Sequence, residues 1–235
     1  MSNLFFQFKQ FTVWHDKCAM KVGTDGVLLG AWADVENTFQ ILDVGTGTGL
    51  IALMLAQRTP LARITAIEID EEAAEQARIN VAHSSWADRI DVVCKNFRSF
   101  ETEDKYNLIV SNPPYFIDAL HCPDKQRNMA RHTCELNYEL LFQHSARLLD
   151  RQGRVCVIIP AEVEQSVVAT AWKYGLFPSR LLRVFTKPGK PCRRVLLSFG
   201  FQDNGCAEDI LHIEVEHHQY TSEYIALTKE FYLKM

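Results

Sequence analysis

No apolar run in this 235-residue chain approaches the roughly 20 residues that a membrane-spanning helix requires, so no membrane partner is expected. The start, Asn3 to Lys9, lacks a charged segment followed by an apolar stretch and a small-residue cleavage site, and a cytosolic location follows as the expectation. Cysteine is sparing in pattern rather than in number. The seven are odd in count, scattered and never arranged as Cys-x-x-Cys, which signals neither a disulfide framework nor a zinc site. His217-His218 lack a third ligand at metal spacing, so no metal is expected. No internal repeat, low-complexity stretch or interdomain linker occurs, and nothing indicates an obligate protein partner. With 47% hydrophobic and 23% charged residues, the composition fits one domain over residues 1–235 with a sizeable core.

Acidic residues are missing from one long stretch. None occurs from Gln165 to Gln202, while Lys173, Arg180, Arg183, Lys187, Lys190, Arg193 and Arg194 all fall inside it. A net charge of -4 argues against indiscriminate nucleic-acid binding, but this local excess is compatible with a directed one. Lys187, Lys190, Arg193 and Arg194 sit in a Pro/Gly-stiffened loop that can present cations to a phosphate backbone. A solvated basic face is the other reading of the same residues.

Apolar runs alternate with helical patterns, which points to an α/β fold with a doubly wound, mostly parallel sheet. Strands are expected at Gln40–Val44, Arg63–Glu68, Ile90–Cys94, Asn107–Ser111, Arg154–Ile159, Leu181–Thr186 and Arg194–Phe201. Helices are expected near Gly49–Arg58, Glu71–Ser84, Tyr138–Leu149, Ala161–Tyr174 and Ser222–Tyr232. The last two strands are joined by the basic loop, so they pair as an antiparallel hairpin. Residues 1–39 read as an extension packing on the sheet.

Two motifs carry chemistry. Asp43-Val44-Gly45-Thr46-Gly47-Thr48-Gly49 leaves a strand and opens a helix, where glycine lets backbone approach a ligand closely. A nicotinamide site needs Gly-x-Gly-x-x-Gly, and the third glycine here falls one residue early. The next strand delivers Glu68 to the same edge, where its carboxylate can accept two ribose hydroxyls; a plain strand-end residue is the alternative. Asp70 is placed to cap the following helix.

The second motif is Asn112-Pro113-Pro114-Tyr115, which follows the apolar Leu108-Ile109-Val110. An exocyclic or carboxamide NH2 group is a poor nucleophile because its lone pair is delocalised. The Asn112 side-chain oxygen and the Pro113 carbonyl can each accept one of its N–H bonds and turn that lone pair toward an electrophile. Tyr115 offers a ring face for a planar substrate. By itself the tetrapeptide also reads as an ordinary turn.

Together these motifs resemble the class I S-adenosylmethionine-dependent methyltransferases of the Asn-Pro-Pro-Tyr subgroup, whose sheet has seven strands. The resemblance implies S-adenosyl-L-methionine as cofactor, held by Asp43, Gly45, Gly47, Gly49 and Glu68. It also implies Asn96 and Phe97 at the adenine, although the family usually has Asp where Asn96 stands. Phe8 to Val13, Ala19 to Trp32, Lys187 to Arg194 and Phe231 to Lys234 are similar to the bacterial tRNA1(Val) (adenine-37-N6)-methyltransferases, over essentially the whole chain. That similarity implies a tRNA substrate, with N6 of an adenine as acceptor, and a Lys21–Gly26 segment closing over the methionine end of the cofactor through Thr24. Thr24 otherwise reads as part of a plain turn into a helix. A glutamine N5-methyltransferase, a ribosomal guanine N2-methyltransferase and a non-catalytic RNA-binding scaffold are the competing readings. The first usually carries a helical domain before its glycine loop, and the second favours Phe after the second proline.

Overall fold

The computed structural model describes residues 3–16, 21–114, 136–217 and 219–234. At its centre lies a sheet built from β3 (Gln40–Val44), β4 (Arg63–Glu68), β5 (Ile90–Cys94), β6 (Tyr106–Ser111), β7 (Leu149–Pro160), β8 (Phe177–Phe185), β9 (Cys192–Gly200) and β10 (Ala207–His212). Their order is β10-β8-β9-β7-β6-β3-β4-β5. Only β9 is antiparallel to its neighbours, β7 and β8. The expected hairpin is therefore present, but the sheet has eight strands rather than seven. β10 adds parallel to β8 beyond the hairpin, with Glu208 opposite Leu181 and Leu211 opposite Val184.

Alternation along each central strand sends side chains to opposite faces. Ile41, Ile64, Leu108, Val110, Cys156 and Ile158 join one buried cluster. Leu42, Ile67, Ile109, Val155, Val157 and Ile159 join the other. Burial on both faces is why these strands read as continuous apolar runs.

The helices α1 (Thr24–Trp32), α2 (Leu50–Arg58), α3 (Glu71–Ala82), α4 (Tyr138–Leu148), α5 (Glu164–Trp172) and α6 (Ser222–Thr228) cover the sheet. Asp70 caps α3 by accepting from the Ala73 N–H at 2.8 Å, and Asn137 caps α4 through Leu140 in the same way at 2.7 Å. Close approach fixes α1 against α2. A Cβ at Gly26 would fall 2.9 Å from Leu50 Cδ2 and one at Gly30 2.8 Å from Met54 Sδ and 3.0 Å from its Cβ, so a larger residue would force the Leu50 and Met54 side chains to shift. Arg58 of α2 then donates to the carbonyls of Gly30 and Ala33 at 2.8 and 2.7 Å, satisfying the end of α1.

Before α1, β1 (Phe5–Gln7) and β2 (Thr12–Trp14) form a short hairpin. Phe8, Phe11 and Val13 belong to the same buried cluster as Ile41 and Ile64. A bridge between Phe8 and Tyr232 and a 2.8 Å bond from the Lys9 N–H to the Phe231 carbonyl join this hairpin to the end of the chain.

Candidate active site

β3 and β6 are adjacent and parallel, with Val44 opposite Ser111. The chain leaves β3 toward β4 on one side and later returns to β6 on the other, so a crevice opens where the strand order reverses. Ser111 Oγ donates to the Val44 carbonyl at 2.8 Å and is fully buried, pinning the two strand ends together. The glycine loop leaves one side of this crevice and Asn112-Pro113-Pro114 the other.

Gly45, Gly47 and Gly49 have φ of 72°, 55° and 81°, left-handed values that disfavour any residue with a Cβ. The Gly45 and Thr46 N–H groups both donate to the Ile67 carbonyl at 2.9 Å. Glu68 then reaches back across the strand gap. Its Oε2 accepts from the Gly47 N–H at 2.8 Å, while Oε1 accepts from the Ile69 and Asp70 N–H groups at 2.8 and 3.0 Å. Glu68 thus braces the loop from the end of β4.

Asp43 is wholly buried. Its Oδ2 accepts from Thr46 Oγ1 at 2.5 Å, and its Oδ1 has no partner. Burial, only partly offset by the Thr46 hydroxyl, pushes its pKa up to about 7. An unsatisfied carboxylate oxygen is costly unless something cationic or hydrogen-bonding meets it.

A cavity of about 340 Å³ brings together Lys21, Thr24, Gly45, Gly47, Asn112 and Pro113. Asp43 and Gly49, expected in the same site, do not line it. Asn112 is half-buried and Pro113 buried. Thr24 is the first residue of α1, so the expected turn there is helical. Tyr115 lies outside the described residues.

Glu68, Asn96 and Phe97 line a neighbouring cavity together with Gly45, Leu136 and Leu140. Its volume is about 40 Å³, far smaller than the 340 Å³ cavity beside it. Asn96 caps a short 3₁₀ turn, accepting from the Arg98 N–H at 2.9 Å, and Phe97 is buried beneath it against His144.

The turn between β8 and β9 emerges at the same edge of the sheet as the glycine loop and carries Lys187 and Lys190. Arg193 and Arg194, expected in the same loop, are instead the second and third residues of β9, because the strand pairing extends that far. These cations are not equivalent. Lys187 Nζ lies 3.3 Å from Glu214 Oε2, and Arg194 Nε donates to Asp25 Oδ2 at 2.8 Å. Lys190 and Arg193 are exposed. Asp25 lines the 340 Å³ cavity, so Arg194 stands beside the crevice itself. Sequence reasoning missed both acidic partners, because each lies on a remote segment.

Among the described residues no group of three His, Cys, Asp or Glu side chains is arranged to hold a metal ion, and no helix is long and apolar enough to cross a membrane. The four described cysteines are free, with Cys156 buried.

A glycine loop at a switch point, facing an Asn-Pro-Pro turn across a shared cavity, defines a class I methyltransferase. Residues 23–168 match the Methyltransferase small domain family. The fold is similar to a predicted O-methyltransferase from Agrobacterium tumefaciens, with a TM-score of 0.67, 19% identity, and 88% of this chain and 96% of that one covered. It is also similar to the glycopeptide N-methyltransferase MtfA complexed with S-adenosyl-L-methionine, at a TM-score of 0.58 and 11% identity, covering 77% of this chain and 100% of that one. At the level of sequence the match is far closer. A tRNA1(Val) (adenine(37)-N6)-methyltransferase of Bacteroides thetaiotaomicron is 56% identical over 236 residues, all of both chains. One of Pectobacterium carotovorum is 44% identical, over 98% of this chain and 94% of its own. The chain belongs to the tRNA1(Val) (adenine(37)-N6)-methyltransferase family.

Proposed function

We propose that the protein transfers a methyl group from S-adenosyl-L-methionine to N6 of an adenine in tRNA, adenine 37 of a valine tRNA by analogy with its relatives. The observation that carries this reading is the shared cavity between the glycine loop and Asn112-Pro113. The residues present fit the cofactor. The buried Asp43 carboxylate holds Thr46 through Oδ2, and its orphaned Oδ1 is suited to the ammonium group of the cofactor. Glu68 keeps one acceptor site, on Oε2, for a ribose hydroxyl, Asn96 and Phe97 are suited to the adenine, and Thr24 closes the methionine side.

When bound, S-adenosylmethionine supplies an electrophilic methyl group on a sulfonium. The chain's own task is then orientation. The Asn112 side-chain oxygen and the Pro113 carbonyl accept the two N–H bonds of the adenine amino group, so that its lone pair faces the glycine loop. Proline at 113 and 114 restricts the backbone, holding both acceptors in one geometry. Transfer from a cationic donor disperses charge, so no strong base is needed beforehand and the proton leaves afterwards. Tyr115 is assigned the ring on which the extruded purine stacks. Lys187, Lys190, Arg193 and Arg194 meet the RNA backbone beside the crevice, with Lys190 and Arg193 the more available. The reading takes residues 1–235 as one methyltransferase domain acting in the cytosol.

Incubation of the protein with tRNA and methyl-labelled S-adenosylmethionine, followed by nucleoside mass spectrometry, tests it. N6-methyladenosine is the expected product. Label in methylguanosine, or in a protein glutamine instead, would refute the assignment.

A further inference from the structure

A cavity of about 680 Å³ lies between the N-terminal hairpin and the C-terminal segment, and methyl transfer makes no use of it. Phe5, Phe6, Tyr220, Tyr224 and Tyr232 contribute to its lining, with Lys234 among them. Tyr224 is buried, and Tyr220 packs on it with centroids 5.3 Å apart. Phe6 meets Tyr232 edge-on at 5.9 Å. The floor is therefore fixed aromatic packing.

The rim is different. Phe5 is 48% exposed and Tyr220 42%, and Leu233, also in the lining, is 52% exposed. A soluble surface does not gather such side chains in one concavity without reason. Thr24 lines both this cleft and the cavity that holds the glycine loop and Asn112, so one residue separates the two.

The charges near the cleft are mixed, and the exposed Glu216 and Glu223 lie close in sequence to Tyr220. Glu214 is the acidic residue of the lining, and Lys187 lies 3.3 Å from its carboxylate, offsetting its repulsion of an anion. Lys234 adds a cation to the lining, and the exposed Lys190 lies on the turn that carries Lys187, with Arg193 at the start of β9. Ring faces with adjacent cations suit a stacked base whose phosphate remains in solvent.

We propose that this aromatic cleft is a second nucleotide subsite, which stacks an unpaired base of the substrate RNA neighbouring the adenine that is methylated. The proposal rests on the RNA-methylating reading above. It adds a place where loop sequence or loop opening is sensed, since a fully stacked helix offers no base to the cleft. A protein segment docking through the same rings is the competing occupant, and it would leave KM for tRNA unchanged in the variants below.

The test uses the full-length enzyme with Phe5→Ala and Tyr220→Ala, separately and together. Each ring removed should raise KM for tRNA roughly five- to hundredfold, since base-aromatic stacking contributes that much per base, with kcat at saturating RNA and affinity for S-adenosylmethionine unchanged. Tyr220→Phe keeps the ring and should keep KM. Tyr220 and Phe5 are half-exposed, so both variants should fold, which their melting temperatures verify. In parallel, tRNA carrying 4-thiouridine at unpaired positions flanking the methylated adenine should crosslink to peptides containing Phe5 or Tyr220.

An unchanged KM in the double variant, in a preparation whose parent methylates tRNA normally, would overturn the subsite and leave the enzymatic reading standing. A loss confined to cofactor affinity would overturn it too, by showing only structural damage. Failure of the parent enzyme to methylate tRNA would remove both together.

Discussion

Arg194 Nε donates to Asp25 Oδ2 at 2.8 Å, joining the start of β9 to the first turn of α1 across 169 residues of sequence. The basic hairpin and the helix that lines the crevice are thereby held in register. The side chains are 30% and 25% exposed, intermediate between a surface and a buried pair. A double-mutant cycle of Asp25→Ala and Arg194→Ala in denaturant unfolding should return a coupling of about 1 kcal/mol. Additive single effects would mean that the hairpin is positioned by its strand pairing alone.

Asn112→Ala should lower kcat about a hundred- to a thousandfold, the range seen when one oriented polar contact to a reacting group is removed. Affinity for S-adenosylmethionine, followed by calorimetry, should stay within a few-fold. Turnover near that of the parent enzyme would take the amino group away from Asn112.

Asp43 gives the protein a pH dependence of definite sign. Its pKa is raised from 3.8 to about 7 by burial, so the folded state holds a proton that the unfolded chain has released between those values. Stability of the cofactor-free protein should therefore fall as pH rises from about 4 to 7 through this group. Affinity for S-adenosylmethionine should move the opposite way, improving up to about pH 7 as the carboxylate that meets the ammonium forms. Asp43→Asn should flatten both profiles. A parent profile without slope in that window would separate Asp43 from cofactor binding.

Lys190→Glu with Arg193→Glu should weaken tRNA binding and flatten its salt dependence by about 0.7–0.9 in log–log slope for each phosphate no longer neutralised. Cofactor affinity should be unaffected. Lys187→Ala should do less, because Glu214 already engages that ammonium. Equal slopes for parent and double variant would return the turn to a solvated surface.

Much of this was legible in the sequence where local chemistry leaves few options. Left-handed glycines, a strand-end carboxylate and an Asn-Pro-Pro turn have to sit where they do, and the order of strands then brings them to one edge. The pairings that decide availability were not legible. Lys187 and Arg194 read as open cations because Glu214 and Asp25 lie on segments that no periodicity connects to them. The eighth strand, Ala207–His212, carries Glu208 and Asp209 and exposes its first four residues, so it reads as acidic tail rather than sheet edge. Charge on an edge strand is what keeps it from pairing further. β1 and β2, of three residues each, are too short for any period, and their place depends on Phe8 meeting Tyr232.

That meeting has a consequence in time. A ribosome adding about 5–20 residues per second releases Phe8 roughly 10 to 45 seconds before Tyr232. Until then Phe8 lacks Tyr232, although Phe6 and Phe11 meet it at 4.7 Å and Phe11 packs on Trp86. The glycine loop and the Asn-Pro-Pro turn can already be in place while the seam is open. The aromatic cleft is thus the last part of the molecule to come into being, and a nascent chain that can already hold the cofactor has no finished surface on which to seat its RNA.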